Sequence, residues 1–136
     1  MPSIRAAASP VDIAISGLRA ESMRMNVIAN NIANAETART PAGGPYRRQD
    51  VVLSTDAAAL AGVTAMEVTQ DFSTEFKKVY QPGNPLSDAS GYLSLPNVDL
   101  PVEMIHLVTA SRAYQANATV LKRHQELGEV TLELLR

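Results

Sequence analysis

The chain has 136 residues with 12 Lys and Arg against 14 Asp and Glu, a net charge of −2. This balance excludes the strong basic field that is typical of proteins binding nucleic acid or acidic membranes. The lack of cysteine excludes disulfides and thiolate chemistry, and an aromatic content of only 4% favours close helix–helix packing over a bulky core.

The first predicted element is a long helix from Val11 to Ala35, within a segment that covers residues 1–36. Ser9 is placed to cap this helix, and Pro10 suits its first turn. Apolar or small residues recur in alternating steps of four and three, which is the heptad spacing of a helix that packs on another helix. These positions are Val11, Ile15, Leu18, Ser22, Met25, Ala29 and Ile32.

Four asparagines near the end of this helix are its unusual feature: Asn26, Asn30, Asn31 and Asn34. Asparagine is a mediocre helix former, so one interpretation is a fraying helix end. The other is that some of these amides face partner helices, where a buried polar group specifies register. Asn117 offers the same role on the second helix.

The middle segment, residues 37–97, contains most of the glycines and prolines and loses the helical spacing. Three short runs have the composition of strands: Asp50–Ser54, Val63–Thr69 and Lys77–Tyr80. We therefore predict a small β-rich or extended insert that is too small to be stable alone.

The third segment, residues 98–136, is predicted to be helical from Val98 to the last residue, with Asn97 or Asp99 as its cap. Its heptad positions are Leu100, Met104, Leu107, Ser111, Tyr114, Ala118 and Leu121. Beyond Gln125 the apolar residues continue on a drifted face of the helix.

The predicted fold class is mainly α with a small β-rich insert. Two helices cannot enclose a core, so the missing layer must come from the insert or from other copies of the chain. The second possibility predicts that the two terminal helices pack as a coiled-coil-like layer in a helical assembly.

No pattern of reactive residues indicates an enzyme, a metal site or a cofactor site. His106 and His124 are 18 residues apart, whereas zinc ligands on one helix lie three to five apart. Arg47 and Arg48 follow a glycine turn and are interpreted as a solvated basic pair that can also contact acidic neighbours. Glu103 is expected to stabilise the positive end of the second helix.

The start of the sequence does not predict a cleaved signal peptide. Asp12, Ser16 and Arg19 interrupt the apolar residues, so no apolar signal core forms. No run reaches the roughly 18 apolar residues of a membrane span. We therefore expect neither a cleaved leader nor a direct membrane span.

Several motifs resemble those of one family. The run from Asn26 to Thr37 resembles the N-terminal signature of flagellar rod and hook proteins. Three further runs are similar to the proximal-rod members of that family: Thr40–Arg48, Leu95–Asp99 and Ala110–Asn117.

The resemblance implies a structural subunit of the periplasmic drive shaft in the flagellar basal body. Such proteins leave the cell through the flagellum's own type III export apparatus, without a cleaved signal peptide. They assemble helically and transmit torque, with both terminal helices lining the export channel and the middle segment packed outward. The implied partners are further copies and other proteins of the proximal rod, the rod base and the distal rod.

The expected assembly interface combines heptad positions, asparagines and the basic pair. Its residues are Ile15, Leu18, Met25, Asn30, Asn31, Ile32, Asn34, Arg47, Arg48, Met104, Leu107, Tyr114, Asn117 and Leu121. The alternative function is a cytosolic coiled-coil adaptor or secretion chaperone that forms a small stable oligomer. A small enzyme with its site in the middle segment is the third hypothesis.

Overall fold

Two long helices are the main elements of the computed structural model, which describes residues 8–55 and 62–136. Helix α1 covers Pro10–Ala33, and helix α2 covers Leu100–Leu134. The prediction of a mainly helical chain with a small β insert is confirmed. The first seven residues of the predicted segment 1–36 lie outside the described residues.

Both helices begin at side-chain caps. The hydroxyl of Ser9 accepts a hydrogen bond from the backbone N–H of Asp12 at 3.2 Å, and the Asp12 carboxylate accepts one from the Ser9 N–H. This capping box satisfies donors that the first helical turn leaves unpaired. Asp99 caps α2 by accepting from Val102 at 3.3 Å. Helix α2 therefore begins at Leu100, two residues later than predicted.

The insert consists of two antiparallel hairpins. Strand β1, Gln49–Thr55, pairs with β2, Val63–Gln70, and strand β3, Lys77–Tyr80, pairs with β4, Tyr92–Leu95. Three of these strands were predicted from the sequence. The fourth, β4, was not, because four residues beside glycine and serine carry little strand signal.

The two helices run antiparallel. Gly17 lies against the side chain of Asn117, and Asn31 donates to Glu103. Asn31 follows Gly17 by 14 residues on α1, and Glu103 precedes Asn117 by 14 residues on α2, so the two helices run in opposite directions. The same register places Pro10 level with His124, so residues 125–134 of α2 extend past the start of α1.

The core of the described chain is thin and lies where α1 meets α2 and the first hairpin. The hairpin is held on α1 near both of its ends, where Val63 donates to the Ser16 hydroxyl at 3.1 Å and Gln49 bonds to Asn31. The buried apolar residues are Ala14, Ala20, Val27, Ile28, Val51, Leu93, Val98 and Ala110. None of them is a heptad position of the predicted stripes, so the heptad spacing did not identify the side chains that are buried within one chain.

Two helical glycines give a matched test of this close approach. A methyl group on Gly17 would lie 2.7 Å from the amide nitrogen of Asn117, whereas one on Gly128 would meet nothing within 4 Å. Alanine favours a helix over glycine by up to about 1 kcal/mol. We expect Gly128→Ala to stabilise the chain by about that amount in urea denaturation. Gly17→Ala should give no gain, because the Asn117 amide must move; equal gains would contradict the contact.

Candidate assembly site

Five polar residues join the helix pair to the first hairpin, and we call this cluster the buried junction. It consists of Asn31 on α1, Tyr46 and Arg48 in the segment before β1, Gln49 on β1 and Glu103 on α2. Asn31 and Glu103 are almost completely buried, with 0% and 1% of their surface exposed. Buried polar groups are stable only when they are hydrogen-bonded, so the partners of these two residues determine how the three elements fit.

Asn31 uses its full hydrogen-bonding capacity within the chain. Its amide nitrogen donates to the backbone oxygen of Gln49 at 2.8 Å and to the Glu103 carboxylate at 3.1 Å. Its amide oxygen accepts from the Tyr46 hydroxyl and from the Gln49 backbone N–H, each at 2.9 Å. An asparagine amide has two donors and two acceptor sites, and all four are occupied. Asn31 therefore defines one register among helix, strand and loop.

Glu103 completes the junction with a buried ion pair. Its second carboxylate oxygen accepts from the Arg48 guanidinium at 2.6 Å, and the Arg48 side chain is only 18% exposed. The bond to Glu103 raises the pKa of Arg48, although burial acts in the opposite direction. Burial raises the pKa of Tyr46, and the Glu103 charge adds to this, so the hydroxyl stays protonated and able to donate. The hydrogen bond between Arg48 and Glu103 is charge-assisted and is therefore stronger than a bond between neutral groups.

Asn97 extends the connection toward the second hairpin. Its amide oxygen accepts from the Arg48 backbone N–H at 2.8 Å. Its amide nitrogen donates to the backbone oxygens of Asp71 and Thr74, each at 3.1 Å. The segment before α2 is thereby fixed to both the start of β1 and the turn that follows β2.

Arg47 binds the same turn from its outer side. The guanidinium carbon lies 4.6 Å from the ring centre of Phe72 and 4.3 Å from that of Phe76, and Nη1 donates to the Asp71 backbone oxygen at 2.9 Å. The prediction of a solvated basic pair is therefore wrong. Arg48 is buried against an acid of the same chain, and Arg47 stacks on two aromatic rings.

Asp71 stabilises this turn with its carboxylate. Hydrogen bonds from the side chains of Ser73 and Thr74 lower the pKa of Asp71 far below its usual value. A folded-state pKa below the unfolded one contributes stability above the unfolded pKa, and this contribution is lost as pH falls through the folded value. The turn should therefore keep its form in mildly acidic solution.

We expect Arg47→Lys to loosen this turn while leaving the helices unchanged. Lysine keeps the charge but cannot stack as a flat guanidinium, and the loss should be about 0.5 to 1 kcal/mol because Phe72 is largely exposed. Faster hydrogen exchange of the backbone amides in residues 71–76 would reveal this loosening of the turn. The control Arg39→Lys alters an exposed arginine and should change nothing. Unchanged exchange in Arg47→Lys would contradict a role for the stacking.

The two helices also present apolar surface to solvent. Exposed large side chains run along α2 to its end: Val102, Met104, Ile105, Val108, Val120, Leu127, Val130, Leu132 and Leu134. A shallow depression of about 390 Å³ lies beside α1, lined by Tyr114 of α2 and by five α1 residues: Leu18, Arg19, Ser22, Met23 and Asn26. Within the described ranges, no cluster of metal-ligating side chains is found. The described helices also include none with the length and apolar character of a membrane span.

Known proteins resemble the chain over most of its length. The FlgC flagellar basal-body rod protein of Salmonella typhimurium is 48% identical over 126 residues, which cover 90% of this chain and 93% of the relative. The chain belongs to the FlgC family of flagellar basal-body rod proteins. FlgC of Escherichia coli is 46% identical over the same share of both chains. FlgC of Borreliella burgdorferi is 37% identical, covering 94% of this chain and 97% of the relative.

Two family descriptions match the helical parts of this FlgC-type chain. Residues 12–39 match "Flagella basal body rod protein", and residues 89–134 match "Flagellar basal body rod FlgEFG protein C-terminal". These relatives are structural proteins of the basal body. The chain is thus a structural subunit of the flagellar basal-body rod and a component of the motility apparatus.

The expected interface residues of this FlgC-type chain separate into inward and outward groups. Asn31 and Arg48 meet in the buried junction, and Asn117 packs on Gly17, so these side chains make their contacts within one chain. Arg47 is stacked on the turn after β2. Asn34 ends α1 by donating to the Asn30 backbone oxygen at 2.9 Å. Asn31 was expected to face a neighbouring chain. Instead, all four hydrogen bonds of its side chain are made within one chain.

The remaining expected residues lie at or near the surface. Asn30 and Met104 are exposed. Leu18 and Tyr114 line the shallow depression beside α1. The others are partly buried in the single chain: Ile15, Met25, Ile32, Leu107 and Leu121.

Sequence reasoning did not find the partners that complete the buried junction. Tyr46, Gln49 and Asn97 carry no spacing signal, because their contacts join positions that are far apart in the sequence. Glu103 was noted only for its place in the first turn of α2. No local signal sets Glu103 and Arg48 apart from the other charged residues of the chain.

Proposed function

We propose that this chain is a subunit of the proximal rod, the periplasmic drive shaft, and that it assembles helically through α1 and α2. In this proposal both helices line the export channel, and the two hairpins lie outward. The observation that carries the proposal is the exposed apolar surface of α2 in a chain of the rod family. A lone copy leaves this surface in water, and further subunits would cover it.

The buried junction gives the proposed shaft a way to transmit torque. A load applied to the hairpins reaches the helices through Asn31, Arg48 and Glu103, whose bonds hold one geometry. Packed interiors are dense and poorly compressible, so such a joint deforms little under load. Subunits joined through their helices would then rotate as one body.

The proposed partners are further copies and other rod proteins of the proximal rod, the rod base and the distal rod. The subunit would reach them by way of the flagellar type III export apparatus, without a cleaved signal peptide. Contacts between subunits would complete the burial of the helices after export, and this would delay polymerisation until the channel has been passed.

The test is deletion of the gene in the bacterium that carries it, followed by complementation. Full-length chain should restore swimming and complete basal bodies, whereas a chain lacking the first 35 residues should restore neither. A Glu126→Ala variant, which removes only the exposed ion pairs with Lys122 and Arg123, should behave as full length. Imaging of the basal body with the subunit tagged should place the tag in the periplasmic shaft. Swimming without the gene, or a tag confined to the cytosol, would contradict the proposal.

A further inference from the structure

We propose that the first hairpin is a flap on α1, hinged at the buried junction and fastened at its far end by a weak latch that opens before the rest of the fold. The latch consists of Ser16 on α1 with Gly62 and Val63 at the start of β2. This inference concerns the single chain and does not depend on the proposed function.

The latch is a close but narrow contact. The Ser16 hydroxyl accepts from the Val63 backbone N–H at 3.1 Å and donates to the Ile13 backbone oxygen at 2.7 Å. Gly62 packs directly on this hydroxyl, because a Cβ atom there would overlap it and would lie 3.3 Å from the Ile13 Cα. Its φ of +71° also favours glycine. Within the described residues, the Val63 bond is the one hydrogen bond that joins this end of the hairpin to α1.

The hinge end of the hairpin is held by many more bonds. Asn31 makes two hydrogen bonds to the Gln49 backbone, and Arg48 is ion-paired with the buried Glu103. Asp71, directly after β2, donates its backbone N–H to the Arg48 backbone oxygen at 2.8 Å. Separating buried polar partners costs more than breaking one bond to a half-buried hydroxyl. The two ends of the hairpin therefore differ strongly in how firmly they are held.

Small side chains of α1 lie beneath the hairpin between these two attachments. Ser16 and Asn31 are about 22 Å apart along the helix, and β1 covers nearly the same length. Ala20 and Val27 are on the same side of α1 as these two residues, because steps of four and seven residues return to one face. Both are buried, yet an alanine and a valine bury little apolar area.

The inner face of the hairpin is only partly covered. Val51 is 7% exposed, whereas Met66 and Val68, which the strand register places on the same face, are 38% and 39% exposed. A cavity of about 300 Å³ lies beside the hinge, between α1, β1 and α2. Among the described helices and strands, only α1 packs closely on the hairpin. The far end of the hairpin therefore depends mainly on the latch.

Opening of the latch gives the chain a second conformation. The hairpin would rotate about the junction and uncover Ala20 and Val27, while the junction itself stays intact. Proteins open locally in this way at a free energy well below that of global unfolding. The closed flap covers one apolar side of α1, so another protein can reach that side only while the latch is open. The latch thus controls access to this side of α1.

Thiol labelling of buried cysteines measures the opening, because the chain has no cysteine of its own. Ala20→Cys places a probe beneath the hairpin, and Ala14→Cys places one on the side of α1 that faces α2; both positions are buried. Adding Ser16→Ala removes one hydrogen bond and should speed labelling at position 20 about fivefold, with no change at position 14. Ser22→Ala, turned away from the hairpin, should change neither rate. Equal acceleration at positions 14 and 20, or none at position 20, would overturn the flap.

A disulfide tests the closed position directly. A Cβ atom at Gly62 would lie 3.5 Å from the Cβ atom of Ser16, which is within the range found in disulfides. Ser16→Cys with Gly62→Cys should therefore crosslink within one chain under mild oxidation. Ser22→Cys with Gly62→Cys carries the same backbone strain at position 62 and should give several-fold less crosslinked monomer. If both pairs crosslinked equally well, or neither did, the hairpin would not be latched at Ser16 and the inference would fail.

Discussion

Replacing Glu103 with alanine should cost the isolated chain about 3 to 5 kcal/mol of unfolding free energy, the range for breaking one side of a buried ion pair. The variant leaves the Arg48 guanidinium, whose side chain is only 18% exposed, with the longer 3.4 Å contact to the exposed Asp50 as its remaining ion pair. It also removes the carboxylate partner of the Asn31 amide. Since a domain of this size is stable by about 5 to 15 kcal/mol, much of the total stability would be lost.

Urea denaturation followed by circular dichroism measures this loss, and two further variants separate its causes. Glu103→Gln keeps an oxygen and the side-chain shape, so it should cost less, about 1 to 3 kcal/mol. Glu126→Ala breaks exposed pairs with Lys122 and Arg123 and should cost under about 0.5 kcal/mol. Equal effects at Glu103 and Glu126 would show that the buried junction does not hold the helices to the hairpin.

The helices were predictable because their signals are local. Ser9 and Asp99 cap the two helices at or near the predicted positions, and each cap depends on a residue only three positions away. Short-range hydrogen bonds and a repeating apolar pattern can be seen in a sequence without knowledge of its fold. The turns at Gly43 and Pro82 likewise limited the insert to short strands.

The way the helices pack was not predictable from the heptad spacing. The spacing selected Ile15, Leu18 and Met25, yet the Asn117 side chain packs directly on the backbone of Gly17, and neither of these two residues is a heptad position. A small residue allows close approach only if a matching side chain lies opposite it, and that depends on register. The register is set in turn by Asn31, whose four hydrogen bonds reach three residues in two distant parts of the chain: Tyr46, Gln49 and Glu103.

The arginine pair illustrates the same limit. In the sequence, Arg47 and Arg48 are adjacent and resemble any exposed basic pair. Alternation along an extended chain points them to opposite sides, so one meets Glu103 and the other meets Phe72 and Phe76. Nothing local distinguishes the two arginines, because the acid and the rings arrive from distant parts of the chain.

A chain that ends after His124 should fold as a monomer but fail to support swimming. The removed residues, 125–136, extend past the start of α1, and the contacts of α2 with Gly17 and Asn31 remain. Unfolding free energy should therefore change by less than about 1 kcal/mol, as for changes away from the packed core. Swimming should be lost because Leu127, Val130 and Leu134 are exposed apolar side chains that the proposed assembly through α2 would cover.

Swimming on soft agar and counts of complete basal bodies measure the functional loss, and urea denaturation measures the fold. A variant that keeps the full length separates the exposed apolar side chains from helix length: Leu127→Gln with Leu134→Gln should impair swimming, whereas Glu129→Gln, which removes no apolar side chain, should not. Glutamine is a good helix former, so α2 itself should persist. Full swimming by the shortened chain would mean that the projecting end of α2 makes no contact that the rod needs. The exposed leucines would then be a feature of the free subunit alone.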